Sequence, residues 1–225
     1  MTQRIMGVSD QEAAGLAAEI LAGSTVLLGR SSNLLRILAR HSPYLARWFI
    51  GFVAAVRQPD LGAASNARLR ALAVIKTSMT NECNYCSTHT SMFGQALGVS
   101  TAELEALPGD MFRDSTLFDE RDKAAIAWSE AVTRNDAKKS GKVWDDMRRL
   151  FSDAEIVEIT LASAMFNMIN RLNDTFRTEF EAVEYNRLQG NAVKGRNVEQ
   201  LEEFAGRFPA AGRAERERTR PVAAE

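Results

Sequence analysis

Both cysteines of the chain lie three residues apart, in the stretch from Thr80 to His89. One helical pattern ends before this stretch and another begins inside it, so Cys83 and Cys86 are predicted at a helix N-terminus. Unpaired backbone N–H groups and the helix dipole stabilise a thiolate there, and the spacing places both sulfurs on one helix edge. A thiolate beside a second thiol can attack a peroxide or a disulfide and then be displaced by its neighbour. The motif therefore predicts redox chemistry.

Other interpretations of the cysteines remain open at this point. Free cysteines are often small buried hydrophobic residues. A zinc site could use Cys83, Cys86 and His89, with His41 as the fourth ligand, although the chain has no second C-x-x-C pair. Haem attachment is excluded because Ser87 occupies the position that the attachment motif gives to histidine.

The composition narrows the setting of this chemistry. The chain has 225 residues, enough for one substantial core. Its 28 basic and 29 acidic residues nearly balance, so neither nucleic acid nor a charged membrane is expected as a partner. Glu12 and Glu19 interrupt the apolar pattern that a secretory signal would need, and no run of about eighteen apolar residues predicts a membrane span. Two neighbouring cysteines do not make a secreted disulfide framework, so we expect a cytoplasmic protein.

Apolar residues recur at helical spacing along most of the chain, and no strand alternation competes with them, so the predicted fold class is all-α. A capping-box spacing at Ser9 and Glu12 predicts a first helix that ends near Gly23. A second capping box at Ser152 opens a long helix that is apolar on nearly all sides, as in helices central to a domain or buried between subunits. The other predicted helices cover about 32–40, 44–57, 65–80, 84–97, 101–107, 119–134 and 142–150.

The pattern weakens after Phe176. Phe180, Val183, Tyr185 and Leu188 are predicted to extend the long helix or to follow it. We expect one helical domain over residues 1–190 and a partly disordered C-terminal extension over 191–225. Acids and bases nearly balance in the last residues, from about 210, so a solvated tail is favoured over an RNA-binding one.

The chain resembles the carboxymuconolactone decarboxylase and alkylhydroperoxidase D-like (AhpD-like) superfamily from about 34 to 177. The most specific feature is the Tyr that precedes the second cysteine of the pair. The weaker matches are Arg68-Leu69-Arg70, Gly98, Phe118-Asp119-Glu120-Arg121 and Phe166-Asn167-x-x-Asn170-Arg171. The resemblance implies an all-helical fold, a homo-oligomer (trimer or hexamer), and a peroxidase that uses no organic cofactor. We expect no bound metal either.

The resemblance also implies roles for the two cysteines. Cys86 would be the peroxidatic nucleophile, which a hydroperoxide oxidises to a sulfenic acid, and Cys83 would resolve that acid to a disulfide. A thiol/disulfide reductant protein would then reduce the disulfide. These roles describe a peroxiredoxin-type activity.

Two positions depart from the superfamily's proton relay. The relay glutamate, twelve residues before the first cysteine, is replaced by Ala71, and the relay histidine, four residues after the second cysteine, is replaced by Thr90. His89 lies one residue earlier, at a spacing that still allows contact with Cys86. Glu82 could supply the carboxylate, or it could be a solvated acid favoured by the helix dipole. We therefore take His89 and Glu82 as candidate catalytic residues beside the cysteines.

Two further functions stay open from the sequence. One is a lyase or isomerase that acts on a small organic acid or lactone without the cysteines, with the candidate groups Arg70, Arg171 and His89. The other is a non-catalytic oligomeric protein that binds a small molecule, with the candidate pocket residues Trp48, Phe49, Phe52 and Trp128.

Overall fold

The computed structural model describes residues 2–59 and 61–182. Within these ranges the chain forms ten α-helices, one short 3₁₀ helix and no β-strand, so the predicted all-α class is confirmed. The helices are α1 (Leu16–Leu28), α2 (Asn33–His41), α3 (Pro43–Arg57), α4 (Ala67–Thr80), α5 (Asn84–Ala96), α6 (Thr101–Ala106), α7 (Met111–Asp114), α8 (Glu120–Thr133), α9 (Gly141–Leu150) and α10 (Asp153–Phe176). The 3₁₀ helix covers Ala137–Lys139.

Side-chain caps fix the starts of five of the ten described α-helices. Ser32, Asn66 and Asp119 each accept a hydrogen bond from a backbone N–H in the first turn of the helix that follows. Ser100 and Ser152 form complete capping boxes with the glutamates three residues later. Each cap satisfies N–H groups that the helix itself leaves unpaired. For this reason the predicted starts of these helices agree with the structure to within one or two residues.

The first helix differs from its prediction at both ends. Ser9 and Glu12 do form the reciprocal hydrogen bonds of a capping box, but only a turn follows them. Gly15 then takes a positive φ of 53°, which a right-handed helix cannot continue through, and α1 begins only after it. Gly23 lies inside α1, which ends instead at Gly29, where φ is 78°.

Helix α4 is the centre of the fold. It packs against α5, α8 and α10, and every residue from Leu69 to Ser78 is buried. Lys76 is among these residues, and burial lowers the pKa of its ammonium group. Its Nζ donates to the carbonyl oxygens of Leu107, at 3.1 Å, and Gly109, at 2.5 Å. The buried charge therefore ties α4 to the loop after α6.

The cysteine pair lies in a hydrophobic cluster to which five helices contribute, namely α2, α3, α4, α5 and α10. The cluster joins Leu34 of α2 and Val53 of α3 to Cys86 of α5 and Phe166 of α10. These helices thus form the walls around the cysteines. No helix in the described ranges combines the length and hydrophobicity needed to cross a bilayer.

The chain reverses direction after α10. Arg177 has a φ of 50° and ends the helix, and residues 177–182, here called the C-terminal segment, follow. Glu179 exchanges two hydrogen bonds with Gln3, and its carbonyl oxygen accepts one from Asn33. The segment therefore lies beside the start of α2. The predictions for Val183 and beyond, including the boundary at 190, fall outside the described residues.

Arg70, a candidate substrate-binding group from the sequence, is a structural residue. Its guanidinium is buried and donates to the carbonyl oxygens of Val56 at 2.7 Å, Gln58 at 3.0 Å and Ser65. These contacts join the end of α3 and the following loop to α4. Arg171 is exposed and bonds Asn167 of its own helix.

We predict that Arg70→Met lowers the free energy of unfolding by about 2–4 kcal/mol, since it leaves buried carbonyl groups unpaired. The matched variant Arg171→Met should change the free energy by no more than about 0.5 kcal/mol. Chemical denaturation followed by circular dichroism measures both. Equal effects of the two substitutions would contradict the structural role of Arg70.

Candidate active site

The cysteine pair opens α5 by way of a tight turn from α4. Glu82 takes a φ of 57°, and the Cys83 N–H then donates to the Ser78 carbonyl oxygen at 3.1 Å. Cys83 is the N-cap residue of α5, Cys86 lies in its first turn, and the two are joined by a disulfide with a Cα–Cα distance of 5.3 Å. No side chain of a described residue caps this helix. The first-turn N–H groups are therefore available to stabilise a thiolate once the disulfide is reduced.

Of the two cysteines, Cys86 is the one that lines the cavity of the site. The cavity has a volume of about 70 Å³, and its walls come mainly from α2, α3, α5 and α10. Cys86 is one of the lining residues, whereas Cys83 is fully buried behind it. Most of the wall is apolar, formed by Leu28, Leu34, Leu35, Phe49, Ile50, Val53, Phe166 and Ile169. A small apolar molecule in this cavity can therefore contact Cys86 but not Cys83.

Asn173 of α10 contacts the cavity-facing sulfur. Its Nδ2 lies 3.3 Å from Cys86 Sγ and also donates to the Ile169 carbonyl oxygen at 3.1 Å. Its Oδ1 is buried and has no hydrogen-bond partner among the described residues. A buried acceptor without a donor is uncommon. The amide thus offers a donor to the sulfur and an acceptor to a ligand hydroxyl.

His89 faces the same cavity and pairs with a buried carboxylate. Its Nδ1 lies 2.6 Å from the Tyr85 carbonyl oxygen, and its Nε2 lies 2.8 Å from Glu181 Oε2. Carbonyl and carboxylate oxygens only accept hydrogen bonds, so both ring nitrogens must donate. The geometry is therefore that of an imidazolium–carboxylate pair.

Glu181 reaches this position from the C-terminal segment, and its side chain is only 4% exposed. Its Oε1 accepts hydrogen bonds from the Tyr85 hydroxyl and the Asn33 backbone N–H, both at 2.5 Å, and forms an ion pair with Arg30 at 3.0 Å. Burial, with the nearby Glu181, raises the pKa of the Tyr85 phenol far above its ordinary value. Tyr85 is therefore a fixed hydrogen-bond donor to the carboxylate.

Aromatic rings close the site around His89. The Tyr85 and His89 rings stack with centroids 4.1 Å apart, and the Phe180 ring lies 5.9 Å from His89 on the C-terminal segment. The stacking holds the imidazole plane in place. Phe180 and Glu181 together make the C-terminal segment one side of the site.

Two arginines also line the cavity, Arg30 and Arg57. The Arg57 guanidinium lies over the Phe93 ring at 3.9 Å and within 5.2 Å of the Phe166 ring centroid. Burial, and then repulsion by Arg30, lowers the pKa of Arg57 to about 9. Arg57 therefore still carries a positive charge at neutral pH.

Comparisons with known proteins give the fold. No family model and no curated protein sequence matches the chain. Among solved structures, the apo debrominase Bmp8 is similar with a TM-score of 0.68 at 20% identity, over 86% of this chain and 99% of that one. An alkylhydroperoxidase AhpD core, an uncharacterized peroxidase-related protein from Ralstonia eutropha, is similar with a TM-score of 0.67 at 18% identity, over 84% of this chain and 96% of that one.

The chain has the AhpD-like fold. The other structures agree. A peroxidase-related protein from a Silicibacter species has a TM-score of 0.66 at 19% identity, over 83% of this chain and 97% of that one. A cysteine-to-alanine variant of Bmp8 in complex with 2,3,4-tribromopyrrole has a TM-score of 0.68 at 20% identity, over 86% of this chain and 98% of that one. The resemblance stated from the sequence is confirmed at the level of fold.

On this AhpD-like fold, three of the four predicted catalytic residues come together. Cys83, Cys86 and His89 lie at the start of α5 and within its first two turns, whereas Glu82 is exposed and does not line the cavity. Ala71 is buried in α4, and the Thr90 hydroxyl donates to the Cys86 carbonyl oxygen at 2.8 Å. The two relay positions thus hold no acid or base.

The residues named for the alternative functions are scattered. Arg70 and Arg171 lie outside the cavity of this AhpD-like fold, and of the four proposed pocket aromatics only Phe49 lines it. His41 is exposed, and its Nε2 lies 3.0 Å from the Met6 carbonyl oxygen. In the part of the chain that the structure describes, no three His, Cys, Asp or Glu residues are arranged to hold a metal ion.

Sequence reasoning missed Arg30, Arg57, Tyr85, Asn173 and Glu181 as site residues. Asn173 could have been found, because it lies seven residues after Phe166 on the apolar side of a long helix. A polar side chain on the buried side of a helix is expected to have a hydrogen-bond partner or a functional role. Glu181 carries no such signal, since it follows the helix end in a stretch with weak periodicity.

We predict that both ring nitrogens of His89 carry protons in the wild-type protein near neutral pH. In Glu181→Gln the amide supplies no negative charge, so Nε2 should lose its proton while Nδ1 keeps its bond to Tyr85. Nitrogen-15 NMR spectra of the imidazole rings report both states, with His41 as an internal reference. Glu179→Gln, two residues earlier in the C-terminal segment, should leave the His89 signals unchanged. An unprotonated Nε2 in the wild type would refute the pairing.

Proposed function

We propose that this chain is a thiol-dependent peroxidase, which reduces a small organic hydroperoxide through a dithiol–disulfide cycle of Cys86 and Cys83. One observation carries the proposal. Cys86 is the cysteine that lines the apolar cavity, and the ion pair of His89 and Glu181 adjoins the same cavity. A nucleophilic sulfur, a proton donor and a site for an apolar substrate are thereby combined.

The first step consumes the hydroperoxide. The Cys86 thiolate attacks the outer peroxide oxygen, a sulfur–oxygen bond forms, and the oxygen–oxygen bond breaks. The departing alkoxide replaces Glu181 as the acceptor at His89 Nε2, takes that proton and leaves as an alcohol. Cys86 is then a sulfenic acid, oxidised by two electrons. The unpaired Oδ1 of Asn173 suits the peroxide hydroxyl, because it is an acceptor near the sulfur.

The second step forms the disulfide. Cys83 attacks the Cys86 sulfur, the sulfur–oxygen bond breaks, and water leaves with the proton of the Cys83 thiol. A partner dithiol protein then supplies two electrons and two protons and is itself oxidised to a disulfide. One proton re-forms the Cys83 thiol and the other the His89 imidazolium, and Cys86 returns to the thiolate. The disulfide seen in the structure corresponds to the state that awaits this reductant.

In this proposal His89 and Glu181 replace the relay that Ala71 and Thr90 cannot provide. The buried carboxylate stabilises the charged imidazole, which in turn stabilises the Cys86 thiolate and protonates the leaving group. Glu82 has no place in the cycle because its side chain is exposed.

The surface of α10 supports the predicted homo-oligomer. Val157, Leu161 and Met168 lie on one side of this helix, and each is exposed. Their spacing makes a continuous apolar stripe, which is the usual character of an interface between subunits.

We predict that Cys86→Ser reduces the consumption of cumene hydroperoxide, with dithiothreitol as reductant, to the rate without protein. His89→Ala should lower kcat/KM about 10²–10⁴-fold, the usual contribution of a positioned acid or base. His41→Ala is the matched control, and it should keep the wild-type rate because His41 lies outside the cavity. Hydroperoxide consumption that survives Cys86→Ser would contradict the peroxidase. Turnover of a lactone or small organic acid that survives Cys86→Ser but fails in His89→Ala would favour the lyase or isomerase.

A second candidate is the reductive removal of a halogen from a small aromatic molecule. It is favoured by the similarity in fold to the debrominase Bmp8 and by the two phenylalanines, Phe49 and Phe166, in the cavity wall. A dithiol can supply the two electrons that this reaction needs. Release of bromide from 2,3,4-tribromopyrrole, absent in Cys86→Ser, together with no hydroperoxide turnover, would establish this candidate over the first.

A further inference from the structure

The cavity beside Cys86 carries an excess of positive charge. Its described lining residues include Arg30, Arg57 and His89, and none of them is acidic. Glu181, just outside the lining, is paired with both Arg30 and His89. This carboxylate thus pairs with two of the three basic groups and not with Arg57. A buried site with unbalanced charge is unstable unless a ligand of opposite charge completes it.

Arg57 has no acidic partner in the described part of the chain. Its guanidinium is held over the Phe93 and Phe166 rings, which attract a cation but do not accept in-plane hydrogen bonds. Burial is the first cause that lowers the pKa of Arg57 to about 9. Burial of the charged Arg57 guanidinium therefore has a desolvation cost, which a bound anion would offset.

Arg30 gives independent support. Its side chain is 4% exposed, and neither its Nε nor its Nη1 makes a hydrogen bond to any described residue. Nη1 does lie 3.0 Å from Glu181 Oε1, as an ion pair, but Nε has no acceptor within the described ranges. Buried guanidinium N–H groups are rarely left in this state. An acceptor is missing at this point of the cavity wall.

The remainder of the wall is apolar, so the occupant has an apolar body. A guanidinium fork matches the two oxygens of a carboxylate, and a cavity of about 70 Å³ selects a small body. We infer that the cavity binds a small apolar carboxylic acid, with its carboxylate on Arg57 and Arg30 and its body against the apolar wall beside Cys86. As a statement about the substrate this rests on the proposed peroxidase, and it identifies the hydroperoxide as one that carries a carboxylate. The binding itself needs no catalysis.

The test is a calorimetric titration of the oxidised, full-length protein with three probes. Benzoate has both a carboxylate and an apolar body, benzamide has the same shape without the charge, and acetate has the charge without the body. We expect benzoate to bind at least about tenfold more tightly than benzamide or acetate, as one charge-assisted hydrogen-bonded pair would give.

Variants assign the effect to the arginine. Arg57→Gln should weaken benzoate binding at least about tenfold and leave benzamide binding unchanged. Arg57→Lys keeps the charge but loses the guanidinium fork, so its affinity for benzoate should lie between those of the wild type and Arg57→Gln. Arg171→Gln, at the exposed arginine that the sequence suggested for a carboxylate, should bind benzoate like the wild type. Circular dichroism checks that each variant is folded.

Equal affinity for benzoate and benzamide, or wild-type benzoate binding in a folded Arg57→Gln, would overturn the inference. Neither result bears on the thiol chemistry, because the disulfide form is titrated and no turnover is measured. Conversely, benzoate binding that depends on Arg57 would uphold the inference whatever the hydroperoxide assays show. The proposed function is refuted separately, if the wild type shows no activity in those assays.

Discussion

A buried carboxylate holds the candidate site together. Glu181 lies among Arg30, Tyr85, His89 and the Asn33 backbone, and its side chain is almost fully excluded from water. Removing a carboxylate from water costs several kcal/mol, so it is tolerated only where donors surround it. The same donors are fixed by the carboxylate in return: the ring of His89, the hydroxyl of Tyr85 and the guanidinium of Arg30 each take their position from it. The site is thus assembled by charge as much as by packing.

The helices provide the frame for this assembly. The turn between α4 and α5 places the cysteine pair at an uncapped helix start, and α10 brings Asn173 against the sulfur from the opposite side. The C-terminal segment then carries Glu181 and Phe180 back over His89. As a result Cys86 lines the cavity whereas Cys83 is buried, so the two cysteines of the C-x-x-C pair have different surroundings.

Local signals made most of the fold predictable. The caps at Ser32, Asn66, Ser100, Asp119 and Ser152 depend on residues close together in the sequence. The helices that they start were therefore predicted correctly. The first helix was misplaced because the capping box at Ser9 is real but Gly15 stops the helix from propagating. The four-residue helix α7 and the 3₁₀ helix went unpredicted, since such short elements have too few residues for a periodic pattern.

The residues of the candidate site likewise fall into those that local sequence predicts and those that it does not. Cys83, Cys86 and His89 lie within one turn or two of helix, so their proximity follows from spacing alone. Arg30, Arg57 and Glu181 come from distant parts of the chain, and only tertiary packing brings them to the cysteines. For this reason the sequence suggested Glu82 as the nearby acid and Arg70 and Arg171 as cationic groups, whereas the structure supplies Glu181, Arg30 and Arg57 beside the cavity.

The most direct test of the account is to identify the first atom that a hydroperoxide oxidises. The Cys83→Ser variant cannot form the disulfide, so one equivalent of cumene hydroperoxide should leave a sulfenic acid on Cys86. Trapping with dimedone followed by peptide mass spectrometry locates it. The account predicts a dimedone adduct on Cys86 that forms much faster than any oxidation of methionine. An unmodified Cys86 thiol, with oxygen distributed over the methionines, would contradict it.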